Sequence, residues 1–256
     1  MDGTKLAVLS EKAWMTKLLY QPLFNVLMLL YVYLPGHDLG VAIIVLTLII
    51  RIILYPSYLQ TLRAQQGLKK IQPEIDEIRK LHKDNQAKQS EELMKVYKEN
   101  KVNPLGSCLP LLIQLPILYA LYRVFMAGLN VDSLHLLYSW FPHIPADINP
   151  MFLSFVGIKS LEVNLAVSNI YLAVLAGIAQ FWQGWLMMKF NPAPKEGAAK
   201  IINLQMTYLF PVVTIFIGLS LPAALALYWV ATTVFTGIQQ LIVIYQFKSP
   251  SHAARS

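Results

Sequence analysis

Four long apolar stretches, separated by polar ones, make up most of this chain. Gly40–Leu59, Leu105–Leu129 and Asn169–Phe190 are each long enough to cross the roughly 30 Å hydrocarbon core of a bilayer as a helix. Ile201–Phe247 is longer and divides at Ser220-Leu221-Pro222 into two spans, so the pattern predicts five spanning helices, at 39–60, 105–129, 169–190, 201–219 and 222–247. A further apolar segment, Lys17–Leu34, approaches spanning length. Gln21-Pro22, Asn25, Tyr20, Tyr31 and Tyr33 interrupt or flank it, and a sixth crossing would leave only Pro35–Leu39 as its turn. Within the N-terminal segment 1–38 it is therefore expected as an amphipathic helix along the outer interface.

Between the first two spans the period stays helical but the apolar stripe narrows. Leu68, Ile71, Ile75, Ile78 and Leu81 recur every three or four residues, Asp84-Asn85-Gln86 breaks the pattern, and Leu93, Val96 and Tyr97 resume it. This predicts a helical hairpin over 61–104, with Pro73 starting a new helix or kinking a continuous one. So short a segment buries little core, which makes a mobile two-helix arm the expectation.

Composition fixes the class. Of 256 residues 56% are hydrophobic and only 14% charged, with a mean hydropathy of +0.49, which places the chain among polytopic all-α membrane proteins. The net charge of +7 is unevenly spread. Ten Lys/Arg lie between Gln60 and Pro104, whereas Asn130–Ser168 holds only Lys159. By the positive-inside rule the hairpin is cytoplasmic and the 130–168 loop external. Alternation then puts the 191–200 loop, with Lys195 and Lys200, inside, and the N-terminus outside. The short tail 248–256, with Lys248 and Arg255, ends inside. The N-terminus carries neither a signal-peptide cleavage site nor a lipoprotein cysteine, so either a leader has been removed or a short tail is translocated without one. The single cysteine, Cys108, excludes a disulfide framework and a thiol metal cluster, and reads as a small buried residue. No metal or cofactor is expected.

Candidate chemistry centres on Arg51, near the middle of the first span, with no acidic residue in any span to neutralise it. A cation at that depth costs about 2.5–3.5 kcal/mol on insertion scales, so water, lipid headgroup or a partner must reach it. Uncharged polar residues line up at helical spacing around it. Thr47, Arg51 and Tyr55 are four apart; Gln180 and Gln183 are three apart; Trp229, Thr233, Thr236 and Gln240 follow one face; Gln114 lies between Pro110 and Pro116; Asn203, Thr207 and Thr214 mark the fourth span. Such residues can simply bond across helix interfaces, at about 0.6–2 kcal/mol each. An unpaired central arginine shared by five polar faces favours a hydrophilic groove instead. Arg123, near the outer end of its span, can extend its head to the interface.

Several separated motifs resemble one family. They are Ile43–Pro56 with Arg51; Gln72-Pro73; Tyr97-Lys98-Glu99-Asn100-Lys101-Val102-Asn103-Pro104-Leu105-Gly106 with Cys108-Leu109-Pro110 and Gln114-Leu115-Pro116-Ile117; and Phe210-Pro211, Leu221-Pro222-Ala223 and Leu227-Tyr228-Trp229. Together the chain resembles the YidC/Oxa/Albino membrane protein insertases. The resemblance implies five transmembrane helices around a hydrophilic groove, open to the cytoplasm and to lipid and closed outside. The family's groove cation maps onto Arg51, and its groove-lining positions onto Thr47, Gln114 and Trp229; Gln180 and Gln183 remain alternatives, and Thr233 shares the Trp229 face.

The function so implied is that of an insertase and chaperone of the bacterial cytoplasmic membrane. Its partners would be nascent client membrane proteins and membrane lipid, with the Sec translocation channel and the ribosome left open and no specific nucleic-acid binding. Some relatives bear a long basic C-terminal extension that helps bind ribosomes; the short tail here argues against tethering by that route.

A secondary transporter or channel using Arg51 as an anion site is the rival reading. Five spans cannot form two equal halves, and all five histidines lie outside the spans, so the repeats and proton carriers of transporters are missing. Ser/His, paired-Asp and His-Glu-x-x-His arrangements are likewise absent from the spans, which argues against an intramembrane protease. The charge asymmetry yields a direct test. In a Cys108-free variant, a cysteine probe near Lys88 should label only from the cytoplasmic side and one near Asp147 only from outside; labelling of both from one side would overturn the five-span topology.

Overall fold

Prolines decide where the helices of this chain begin, bend and change register. The computed structural model describes residues 16–103, 109–128, 136–141, 148–190 and 198–248. The expectations for Cys108, Asp147, Lys195, Arg255 and the segment before Thr16 lie outside the described residues. Helix α1 (Gln21–Tyr33) follows a π-helical turn, Thr16–Tyr20, and carries Pro22 in its first turn. Helix α2 (Leu39–Ile53) runs into α3 (Tyr55–Lys70) through a bend of 59° at Leu54. Pro56 accounts for that bend, since it offers no N–H to Ile52 and its ring crowds that carbonyl. The run 39–60 that reads as one apolar span is thus two helices. Pro73 opens α4 (Gln72–Leu81) after a break at Ile71, and α5 (Gln86–Glu99) returns antiparallel to it.

Helix α6 (Leu109–Gly128) keeps Pro116 inside it. After the 129–169 connection comes α7 (Ile170–Phe190). Helix α8 (Ala198–Leu204) passes through a second π-helical turn, Gln205–Leu209, into α9 (Phe210–Ser220), whose first turn holds Pro211. Each π turn ends two residues before a proline, Pro22 in one case and Pro211 in the other. Leu221 is extended, and α10 (Ala223–Lys248) completes the bundle.

Among the described residues, Ile170–Lys189 and Ala223–Val243 are long and apolar enough to cross a bilayer, and the bent pair α2–α3 makes a third if it counts as one span. Gln205–Ser220 is shorter. The protein is a helical membrane protein. Its centre is α10, packed along α7 on one side and α2 on another, with α9 on the far side of α7. Small residues set these spacings: Gly177 lies beside Ile215, Gly218 against Ala173, Gly184 against Thr207, and Gly237 beneath the Trp182 ring.

The end of the bundle where α2 and α10 begin, called the loop end below, is closed by a continuous core. Phe24, Leu27, Met28 and Tyr31 of α1 are buried there against Leu39, Ile43 and Leu46 of α2, Leu121 and Val124 of α6, and the start of α10. The segment assigned by its pattern to the outer interface therefore turns its apolar face to protein, leaving Leu18, Val26 and Tyr33 outside. Its polar residues have specific work. Buried Asn25 donates to the Leu136 carbonyl at 3.1 Å and accepts from the Tyr138 N–H at 2.8 Å, and Gln21 also donates to Leu136.

A fully buried carboxylate, Asp38, joins helix and connection. One oxygen caps α2 by accepting from the Val41 N–H at 3.0 Å; the other accepts from the Leu153 N–H at 2.7 Å. Beyond it, β1 (Met151–Phe152) pairs antiparallel with β2 (Val163–Asn164), and the Phe152 ring fills the space over Gly40 that a side chain would need. The carbonyls of Leu165 and Val167 then accept from the N–H groups of Ala224 and Ala223 at 3.1 and 2.9 Å, satisfying donors that the start of α10 would otherwise leave bare.

At the opposite end the α4–α5 hairpin projects with little core of its own. Ile71 and Ile75 are buried, but α5 buries no residue, and Leu81 and Met94 are exposed. Asn85 caps α5 by accepting from the Lys88 N–H at 3.0 Å. Lys95 reaches Glu91 at 2.9 Å and Glu92 at 3.1 Å, holding the Glu91 carboxyl below its ordinary range; so exposed a pair adds little stability.

Asp38 provides the stability test. Asp38→Ala should lower stability by about 1–3 kcal/mol, because two backbone donors lose their acceptor. Asp38→Asn, which keeps one acceptor oxygen, should fall between. Thermal melts in detergent rank the three proteins.

Candidate functional site

Counting 1.5 Å per residue, Arg51 lies about 18 Å along α2 from Leu39. It occupies the last turn of that helix, just before the Pro56 bend, and is half-buried. Its guanidinium is held along one edge by two neutral acceptors from two other helices. Nε donates to Thr232 Oγ1 of α10 at 2.7 Å, and one terminal nitrogen donates to Gln114 Oε1 of α6 at 3.3 Å. The Gln114 amide in turn donates to the Tyr228 hydroxyl, one turn before Thr232 on α10. Among the described residues no carboxylate reaches Arg51. An arginine has five N–H donors; the bound edge uses two, and the outer fork of the two terminal nitrogens remains for a planar anion.

The three helices that meet here are unevenly packed. Helix α10 lies close along α2, α6 touches α10 only lightly, and α2 and α6 meet less still. The Arg51–Gln114 bond therefore links two helices whose backbones come close at few points. Ile52 and Ile53, next to Arg51, are 63% and 69% exposed, so the charge sits beside a strongly apolar surface.

A polar column continues along α10 toward the hairpin. Thr236 Oγ1 donates to the Thr232 carbonyl at 2.6 Å, and the Tyr58 hydroxyl of α3 donates to the Thr236 carbonyl at 3.4 Å. One turn on, Gln239 Oε1 and both polar atoms of the Gln240 amide are buried without a hydrogen-bond partner among the described residues. Buried amides are nearly always bonded, so this stretch calls for water.

The sequence-derived candidates fall into groups. Arg51 and Gln114 are brought together directly. Thr47 is buried one turn earlier on α2, its hydroxyl turned back to the Ile43 carbonyl at 2.7 Å. Trp229 is half-buried and Thr233 buried, on the face of α10 adjoining the Tyr228–Thr232 column. Gln180 accepts from Thr214 Oγ1 at 2.7 Å and so ties α7 to α9, away from Arg51, while Gln183 is half-buried one turn further along α7. Tyr55 was grouped with Arg51 on the assumption of one straight helix; the bend at Leu54 intervenes, and Tyr58 makes the bond to α10 instead.

Tyr228 and Thr232 escaped the sequence reading. The signal was present, because Tyr228 and Thr232 are four apart and lead on to the same Thr236 and Gln240 that follow Trp229 and Thr233. Nothing in the periodicity of α10 alone says which of two adjoining polar faces meets α2.

Residues 30–250 match the family described as 60Kd inner membrane protein. A protein of Clostridium tetani named Membrane protein insertase YidC is 39% identical over 196 residues, covering 77% of this chain and 77% of that protein. Membrane protein insertase YidC 1 of Listeria monocytogenes is 32% identical over 220 residues, covering 84% and 67%. The Membrane protein insertase YidC of Magnetococcus marinus is 34% identical over 209 residues, 81% of this chain but only 32% of that protein, so this chain corresponds to about a third of that relative. With the match over residues 30–250 spanning α2 to α10, the chain belongs to the 60Kd inner membrane protein family, and the YidC membrane protein insertases are its relatives.

Proposed function

We propose that this chain is a membrane protein insertase and chaperone, and that Arg51 is the cation of a hydrated groove bounded by α2, α6 and α10. In this reading the hydrophobic segments are five spans, the α4–α5 hairpin is cytoplasmic, and the loop end is external. A client's short hydrophilic tail enters the groove from the hairpin end. Its acidic residues meet the outer fork of Arg51, and its apolar segment leaves sideways into lipid. No bond is made or broken. The groove shortens the hydrocarbon path of polar groups. Burial of the client's helix, at about 25 cal/mol per Å², and the membrane potential acting on an acidic tail supply the drive.

The observation that carries this reading is the edge-on hold of Arg51 by Thr232 and Gln114, two neutral partners that orient the charge without cancelling it. A carboxylate in their place would lower the cost of burial and remove the attraction for the client. Thr47, Trp229 and Thr233 are proposed to line the groove, with Gln180 or Gln183 contributing from α7. The buried Gln239 Oε1 and Gln240 amide, without partners among the described residues, support hydration toward the hairpin end. The tight core around Asp38 supports closure at the other.

Purified protein reconstituted alone in liposomes should insert a short-tailed client above the level of empty liposomes; no gain would refute autonomous insertion. Arg51→Ala should lower insertion of acidic-tailed clients by about tenfold, equivalent to ~1.4 kcal/mol, and spare neutral-tailed ones, while Arg51→Lys retains much of the activity. Equal loss for both client types, together with loss of fold, would make Arg51 structural.

Thr232 is proposed to position that charge. Thr232→Val should weaken insertion of acidic-tailed clients and Thr232→Ser should not. In an Arg51→Lys background, where no Nε exists to be held, Thr232→Val should add little. Replacing Leu68–Val96 by a short flexible linker should leave the core folded but reduce insertion; unchanged insertion would reduce the hairpin to a connector.

A further inference from the structure

We propose that the segment Leu153–Val167 is a preformed membrane anchor, which presents Phe155, Val156, Ile158 and Leu161 to the headgroup–acyl boundary of the leaflet at the loop end. These four apolar side chains lie within seven residues and are 56%, 41%, 49% and 48% exposed. Single exposed apolar residues are ordinary; a contiguous group on a short loop marks a contact surface.

The frame that presents them is fixed. Leu153 has φ +63° and Gly157 φ +74°, and between and after them run two single turns of 3-10 helix, Ser154–Val156 and Lys159–Leu161. The Leu153 N–H is held by the buried Asp38 carboxylate, the β1–β2 ladder closes the segment's base, and the Phe155 side chain rests over Gly36. Gly157, at the tip, has nothing within 4 Å of where a side chain would begin. The apolar groups cannot simply fold inward, because the backbone that carries them is bonded to the starts of α2 and α10.

Three observations select lipid as the occupant. First, the segment sits where α2 and α10 begin, which in a spanning bundle is the depth of an interface. Second, the chain runs from this segment directly into the exposed start of α7: Val167 is 56% exposed, and Ile170 and Tyr171 follow at 57% and 81%, Tyr171 being of the residue type that sits at headgroup level. Third, the only basic residue of the 130–168 loop, Lys159, lies among the four apolar side chains, where its ammonium can meet lipid phosphate. Glu162 follows Leu161 and is half-buried. Interfacial amphipathic helices bury their apolar face about 5–10 Å into the headgroup–acyl boundary, and the same shallow depth is expected of this segment.

The test places an environment-sensitive nitrobenzoxadiazole probe at Val156→Cys and, separately, at Ile158→Cys, in full-length Cys108→Ala protein reconstituted into phosphatidylcholine/phosphatidylglycerol vesicles. A Lys83→Cys probe in the hairpin turn serves as the exposed reference. Both loop probes should emit to the blue of the reference, be quenched more by nitroxides near the headgroup than by nitroxides deep in the acyl chains, and be shielded from iodide. These properties should not change with protein-to-lipid ratio or with added client. Iodide quenching equal to that at Lys83 would overturn the proposal. So would shielding that appears only at high protein density, which would assign the surface to a second copy, or only with client, which would assign it to polypeptide. Each labelled protein is melted alongside the parent, and two probe sites keep the test decisive should one variant unfold.

Discussion

A guanidinium placed beside apolar surface and held by neutral partners alone is the constraint on which the rest of this molecule turns. Removing an ionised group from water without an opposing charge is costly, and Arg51 cannot escape by deprotonating. Its surroundings must supply hydrogen bonds without supplying an anion. Thr232 and Gln114 do this along one edge, and Tyr228 in turn occupies the Gln114 amide, so the arrangement needs three helices to hold their places. Such an arrangement stabilises only if the bundle around it is already rigid.

That rigidity comes from the loop end. There α1 packs its aromatic and aliphatic face into the space between α2, α6 and the start of α10, and Asn25 and Asp38 bond the connecting segments onto it. Both side chains satisfy backbone groups that would otherwise be buried unpaired, which is why polar residues can stand in so apolar a setting. Toward the hairpin the construction is the reverse. Helices bend at Pro56 and break at Ile71, α5 buries nothing, and Gln239 Oε1 and the Gln240 amide have no hydrogen-bond partner among the described residues. The bundle is thus closely packed and bonded at the loop end and less closely packed toward the hairpin.

The family relation and the polar network address different questions. Similarity across 77% of the Clostridium tetani protein places the chain among its relatives. It does not say how Arg51 is held, or by which face of α10. Those are matters of distances between side chains 63 and 181 positions apart in sequence.

What the sequence alone determined was whatever depends on local period and on transfer from water. Apolar run lengths marked long apolar helices, the narrow apolar stripe with its break at Asp84-Asn85-Gln86 marked the α4–α5 hairpin, Pro73 marked a helix start, and an arginine without acidic company marked the position that Thr232 and Gln114 hold. Tertiary structure decided whatever depends on which faces meet. Periodicity gives a helix two adjoining polar faces without ranking them, so Thr232 and Tyr228 stayed hidden beside Trp229 and Thr233 until α10 was packed on α2. A helical spacing such as Thr47–Arg51–Tyr55 assumes an unbroken axis, and Pro56 removed that assumption by bending it 59°. Amphipathicity could not tell lipid from protein as the cover for α1, because both are apolar; its neighbours chose. Only the fold could bring the Asp38 carboxylate to the Leu153 N–H, 115 residues away, since nothing local to either residue encodes the other.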